Sequence, residues 1–198
     1  MDRERIEFRG SAREDLRAFP QAARREAGFQ LDRVQCGLEP ENWKPMSTTG
    51  AGVREIRITD AAGAFRVMYV AKSPSALYVL HGFQKKTQRT RESDTEWAAP
   101  AISRTVKRIT IMNRKRDDSV WDAIEETAEE AQNMKLRSAL MMALQEHIAR
   151  VKLNQAQAAK FFGVTQPDIS NLIRGKIDIF ARDTLVKMTT VAGMRAIE

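Results

Sequence analysis

Thiols and imidazoles are scarce in this chain of 198 residues, which has one cysteine, Cys36, and two histidines, His81 and His147. One cysteine excludes an intramolecular disulfide framework and a Cys-rich zinc site. Two histidines leave little from which to build a His-based metal site, and neither a metal nor a cofactor is expected. No apolar run approaches the roughly 18 residues of a membrane span, so no membrane partner is expected. The first residues, Met1-Asp2-Arg3-Glu4-Arg5, are charged and lack the apolar stretch of a secretory signal. A cytoplasmic location is the expectation.

What is present is charge, unevenly spread. The net charge is +7. Residues 1–108 carry 20 Lys/Arg against 14 Asp/Glu, a net +6, whereas residues 109–198 carry 13 against 12, a net +1. The basic balance favours polyanionic partners, and the shift along the chain marks two segments of different character. With 42% hydrophobic residues both can hold a core.

Periodicity divides the chain in the same way. Ile6 to Arg9 alternates as a short strand. Ser11 is placed to cap a helix carrying Leu16 and Phe19, and Pro20 starts a second helix from Gln21 to about Gln35. Residues 36–52 hold Gly37, Pro40, Pro45, Gly50 and Gly52 and predict a loop. Three strands follow, over Val53–Ile58, Ala64–Val70 and Ala76–Phe83, joined by turns short enough to make them antiparallel. The prediction is an α+β domain with a helical hairpin packed on an antiparallel sheet. Residues 84–92 hold four cations and one acid, 93–108 are weakly helical and broken at Pro100, and 109–118 form a linker. From Ser119 onward the pattern is helical only. A short helix runs to Thr127, a long one from Ala131 to Leu153, and three shorter ones over about 155–162, 166–174 and 181–192. The domain boundaries expected are 1–108, a linker over 109–118, and 119–198.

The sharpest local signal runs from Leu153 to Gly175. Asn154 caps one helix, Ala158 and Ala159 allow a second to cross closely, and Gly163 permits the tight turn. Thr165 caps the next helix and Pro167 fits its first turn. This is a helix-turn-helix pattern, and over about residues 134–193 it resembles the lambda-repressor-like (XRE, Cro/CI-type) family. The resemblance implies that the second helix enters the major groove. Gln166, Asp168, Ser170, Asn171 and Arg174 then face base edges, with Gln155 and Thr165 at the helix starts. Lys160 and Lys176 hold phosphates. Operator DNA is the implied partner and a homodimer the implied state. The alternative is a helical hairpin used only for protein contacts. Residues 119–137 resemble the leader of HigA-type antitoxins.

The N-terminal segment carries five words in order: Asp15-Leu16-Arg17-Ala18-Phe19-Pro20, Trp43-Lys44-Pro45-Met46, Val53-Arg54-Glu55-Ile56-Arg57, Phe65-Arg66-Val67-Met68-Tyr69 and His81-Gly82-Phe83-Gln84-Lys85-Lys86-Thr87-Gln88. Over about residues 5–92 they resemble HigB-like toxins of the RelE superfamily, in its phage-derived branch. The resemblance implies an endoribonuclease that cleaves mRNA on the ribosome. Such cleavage deprotonates a 2′-hydroxyl, stabilises a pentavalent phosphate and protonates a leaving 5′-oxygen. Arg57 and Arg66 are the expected phosphate clamp. Lys85 or Lys86 supplies charge or a proton, and Tyr69 or His81 stacks a base or assists proton transfer. The structural readings stand beside these: Arg54 and Glu55 in cross-strand ion pairs, Lys85 and Lys86 as a solvated turn, His81 and Trp43 as packing, Cys36 as filler. Family members finish on a basic helix, whereas here the region is Asp94 to Ile102 with Pro100 inside it.

One chain thus joins toxin-like and antitoxin-like segments. Residues 117–130 hold seven acids and no Lys or Arg. Trp121, Glu125, Glu126, Glu129 and Glu130 are the candidate neutralising residues, acting within the chain or in trans, by docking on the basic domain and obstructing RNA. The alternative is a DNA-binding regulator whose toxin-like half is an inactive scaffold.

Overall fold

A computed structural model describes residues 3–47, 49–71, 76–85 and 117–194. The chain divides into two compact units, Met1–Glu125 and Glu126–Glu198. Lys86, the cation run beyond it, Pro100 and most of the expected linker lie outside the described residues.

The first unit is an α+β domain, as expected. Its elements are β1 (Ile6–Phe8), α1 (Ala12–Arg17), α2 (Gln21–Gln35), β2 (Trp43–Pro45), β3 (Val53–Asp60), β4 (Gly63–Val70), β5 (Leu77–Lys85) and a short helix α3 (Val120–Ile124). The sheet order is β1-β5-β4-β3-β2. β3, β4 and β5 form the expected antiparallel meander, while β1 pairs parallel with β5. β2 corrects the expectation of a loop over 36–52. Trp43 pairs with Ile56 and Pro45 with Arg54. The strand lies at the sheet edge, where a proline without an N–H is tolerated.

Side chains alternate across a strand, so register decides which residues share a face. Ile56, Ile58, Phe65 and Val67 point toward α1 and α2, where Leu16, Phe19 and Ala23 are buried with them. Phe19 and Phe65 meet with ring centroids 4.9 Å apart. Gly82 lies under α1, and a Cβ there would come 2.7 Å from Leu16 Cδ1 and 3.2 Å from Phe19 Cζ. No side chain but hydrogen lets the helix sit this close. The opposite face is apolar at one end, where Val53, Met68, Val70, Tyr78 and Leu80 cluster. A register shift at Met68/Tyr69 leaves Leu80 as the extra residue of a β-bulge. The other end of this face is charged.

Residues 117–125 complete the first unit. Asp117 and Ile6 exchange backbone hydrogen bonds, each of 3.0 Å, on the outer edge of β1. α3 packs on α2 and α1, burying Val120, Trp121, Ala123 and Ile124 completely. Ser119 caps it, accepting from Trp121 N at 3.4 Å. The helix stops at Ile124, earlier than the expected Thr127, because Thr127 is the cap of the next helix and accepts from Glu130 N at 3.1 Å.

The second unit is helical throughout its described residues: α4 (Ala128–Val151), α5 (Gln155–Phe162), α6 (Gln166–Ile173), a 3₁₀ turn (Ile177–Ile179) and α7 (Arg182–Val191). Asn154 and Thr165 both form capping boxes, with Gln157 and Asp168 returning the bond to the cap backbone. Gly163 ends α5 at φ 68°, the left-handed turn that a side chain resists. Arg137 of α4 is buried and donates to the carbonyls of Ile177 and Asp178, while Gln145 donates to Leu172 O at 2.7 Å. These bonds satisfy backbone carbonyls that helix ends leave open.

Candidate functional site

Register assembles the charged end of the sheet. Arg57 of β3 lies directly opposite Arg66 of β4, and Arg66 opposite Phe83 of β5. Glu55 and Met68 pair in the next row, as do Met68 and His81. Arg57, Arg66, His81 and Lys85 therefore share one sheet face, the face away from α1 and α2. Two guanidinium groups directly across a ladder repel. Glu55 resolves this: its Oε1 is 3.0 Å from Arg57 Nε and 3.6 Å from Arg66 Nε. The Glu55 side chain is 6% exposed, so this carboxylate depends on its two partners. Arg66 also donates to Phe65 O at 2.7 Å. Burial lowers the proton affinity of the Arg66 guanidinium; Glu55 opposes that shift and Arg57 adds to it. The cluster presents two oriented guanidiniums, each able to bind a phosphate oxygen.

His81 and Lys85 follow on β5. His81 Nδ1 is 2.7 Å from Asp15 Oδ2, and its ring stacks on Phe83 with centroids 5.4 Å apart. Tyr69 does not join them. It sits on the helix-side face, fully buried, and burial pushes its phenol up while Arg54 beside it pulls it down. Arg54 stacks over Trp43 at 4.2 Å and pairs with Glu39 at 3.3 Å. The ion-pair partner of Glu55 is thus Arg57 with Arg66, and that of Arg54 is Glu39. Lys86 lies outside the described residues. Glu55, Asp15 and Phe83 were not among the candidate residues of the sequence, although Glu55 and Phe83 share strand parity with Arg57 and Lys85.

The leader residues divide. Trp121 Nε1 donates to Asp32 Oδ2 at 3.2 Å, and Arg3 pairs with the same carboxylate at 3.0 Å. Glu125 is held by Arg25 at 3.2 Å and Arg24 at 3.8 Å. Arg17 donates to Ala123 O at 2.9 Å, Gln35 accepts from Val120 N at 2.9 Å, and Arg13 pairs with Asp117. This docking occupies the helix layer, not the arginine face. Glu126, Glu129 and Glu130 belong to the second unit, where Glu129 and Glu130 lie in the first turn of α4.

The second unit presents α6 with the polar positions outward. Gln155, Thr165, Gln166 and Arg174 are exposed; Asp168, Ser170, Asn171 and Lys176 are partly so. Asp168 is engaged with its own cap: Thr165 Oγ1 donates to it at 2.6 Å and Thr165 N at 3.0 Å. These bonds hold its carboxyl below its ordinary value. A carboxylate at this position repels phosphate, and with both cap bonds on Oδ2 its Oδ1 is the oxygen placed to accept from cytosine N4.

Residues 14–102 match the family model of phage derived protein Gp49-like (DUF891), and residues 123–197 match that of a helix-turn-helix domain. No curated protein matches the chain. Among the described residues no helix is long and apolar enough to cross a membrane.

Proposed function

We propose, for a chain that joins a Gp49-like domain to a helix-turn-helix domain, that it is a self-neutralised toxin–antitoxin protein: an operator-binding autorepressor carrying a latent ribonuclease of the HigB-like, mRNA-cleaving kind. The observation that carries the ribonuclease half is the Arg57–Glu55–Arg66 cluster on the face shared with His81 and Lys85. In the reaction the substrate's own 2′-oxygen loses its proton and attacks phosphorus. The P–O5′ bond breaks, a 2′,3′-cyclic phosphate forms, and the 5′-oxygen leaves with a proton. Arg57 and Arg66 stabilise the charge on the five-coordinate phosphorus. His81 accepts the 2′-hydroxyl proton and Lys85 supplies one to the leaving oxygen.

Residues 117–125 anchor this arrangement in the proposal. They tie the rest of the chain to the helix layer of the first unit through Trp121, and a tether of this kind gives an effective concentration on the order of mM. Their position does not support the simpler idea that they cover the arginine face themselves. A second reading keeps DNA binding and drops cleavage; it is favoured by Glu55, an internal anion already seated on both arginines.

The deciding experiment maps mRNA cleavage by primer extension in a bacterial translation extract. It compares the full chain with Trp121→Ala and with Trp121→Ala/Arg66→Ala. Cleavage by the Trp121→Ala chain, absent in the other two, supports the first reading. No cleavage by a folded Trp121→Ala chain leaves the second.

A further inference from the structure

Two sequence words, Asp15 to Phe19 and His81-Gly82-Phe83, have no role in the reading above beyond His81. In the structure they are one interlocked unit. Gly82 has no side chain, so Leu16 and Phe19 descend onto β5. That descent places the Asp15 carboxylate at the strand edge beyond the end of β1. There Oδ2 accepts from His81 Nδ1 at 2.7 Å, Gly82 N at 3.3 Å and Ser11 Oγ at 3.3 Å. The imidazole is held from the other side by the Phe83 ring, nearly parallel to it at 19°. Both side chains are largely buried, 14% exposed for His81 and 19% for Asp15.

We infer that Asp15 is a positioning residue for His81, fixing its ring plane and its tautomer on the sheet face that carries Arg66 and Lys85. A carboxylate only accepts, so the proton of the neutral ring sits on Nδ1 and the lone pair on Nε2. This is the form a proton acceptor needs. A histidine without such a partner has no reason to hold that tautomer. The charged groups around it are Asp15 on α1, Arg66 on β4, Lys85 on its own strand, and Glu55 with Arg57 on β3. Asp15 contacts the ring at 2.7 Å. The inference rests on the ribonuclease reading for its purpose and stands apart from it in its geometry.

The test reads tautomer and activity separately. With two histidines in the chain, imidazole ¹⁵N spectra of the full protein are assigned by a His147→Gln variant. The wild-type His81 is expected to show a protonated Nδ1 and a bare Nε2. Asp15→Ala moves the proton to Nε2, and Asp15→Asn, which keeps an accepting oxygen, restores it to Nδ1. In the Trp121→Ala background, Asp15→Ala slows RNA cleavage on the order of 10²-fold, and adds nothing when His81→Ala is already present. A wild-type ring protonated at Nε2, an Asp15→Ala tautomer equal to wild type, or an equal slowing in the His81→Ala background overturns the inference. In a chain that cleaves no RNA, the ribonuclease reading fails and the tautomer alone decides this one.

Discussion

The edge of the Trp121 indole rests on the bare Cα of Gly28. A Cβ built on Gly28 would lie 2.7 Å from Cζ3 and 2.9 Å from Cη2 of Trp121, and 2.6 Å from Ile124 Cδ1. Both partners are fully buried ring or branched atoms and have no room to yield. In an open helix, Gly→Ala stabilises by about 0.5–1 kcal/mol. Here overpacking of about 1–3 kcal/mol opposes it and wins. Gly28→Ala is expected to lower the urea midpoint of the first unit. In a chain that carries both Trp121→Ala and Ile124→Ala the same change is expected to raise it. A sign that fails to reverse refutes the contact.

Trp121 contributes both area and a hydrogen bond. Trp121→Ala is expected to cost about 3–5 kcal/mol. Trp121→Phe keeps most of the area and leaves the Asp32 carboxylate short of a donor, costing about 1–3 kcal/mol. Chemical denaturation of the three chains orders them wild type, Phe variant, Ala variant.

The arginine face is tested by charge. On the proposed ribonuclease reading Arg66 is one of two phosphate clamps, and Arg66→Ala is expected to reduce cleavage by about 10²–10³-fold in the Trp121→Ala background. Glu55→Gln leaves Arg57 and Arg66 opposed without their shared anion. It is expected to lower thermal stability while tightening binding to single-stranded RNA, measured by fluorescence anisotropy. Weaker RNA binding by that variant would show that Glu55 orients the guanidiniums rather than competing with RNA.

On α6, Gln166 is at the exposed start of the helix, where amide side chains reach base edges. Gln166→Ala is expected to cost about 1–3 kcal/mol of discrimination between operator and random duplex. Lys160→Ala is expected to weaken both equally and to reduce the slope of log affinity against log salt by about 1. Gel-shift titrations at several salt concentrations separate the two behaviours.

Thr165→Ala removes the cap of α6 and is expected to destabilise the second unit by about 0.5–2 kcal/mol. The pH dependence follows from Asp168, whose folded value is depressed by its bonds from Thr165. A depressed carboxyl contributes stability above its unfolded value and loses it as pH falls through the folded one. The wild-type protein is therefore expected to lose helix in acid below about pH 4, and Thr165→Ala to lose less over that window. Helical circular dichroism against pH checks the sign.

Much of this was legible because local rules suffice where elements are long and periodic. The helix of residues 155–162 and the caps Asn154, Thr165 and Gly163 are written in adjacent residues. β3 and β4 alternate clearly. β2 was not legible: three residues carry no period, and Pro45 among glycines signals a loop. Only pairing with β3 makes it a strand. The partner of β1 was equally hidden, since a parallel pairing with β5 spans about seventy residues and leaves no local trace. In the site, Arg57 and Arg66 were placed correctly on neighbouring strands. Tyr69, three positions from Arg66, has the wrong parity to share its face, and simple alternation carries that information. The carboxylate between the arginines needs the register of two strands, and the Asp15–His81 pair needs the seating of a helix. Trp121 was read from the sequence only as a neutralising residue; that it is buried, with Gly28 as its seat, is a fact of three-dimensional shape.

Residues 117–125 also set the order in which the first unit is finished during synthesis. All five strands exist once Lys85 has been made, but the segment that bridges to Ile6 and covers Gly28 is complete only forty residues later, at Glu125. At about 5–20 residues per second, that is an interval of roughly 2–8 s on the ribosome. Through it the slot over α2 is open to water or to a copy of the same segment from another chain. A nascent polypeptide is therefore born with a vacancy that its own later residues are the nearest to fill.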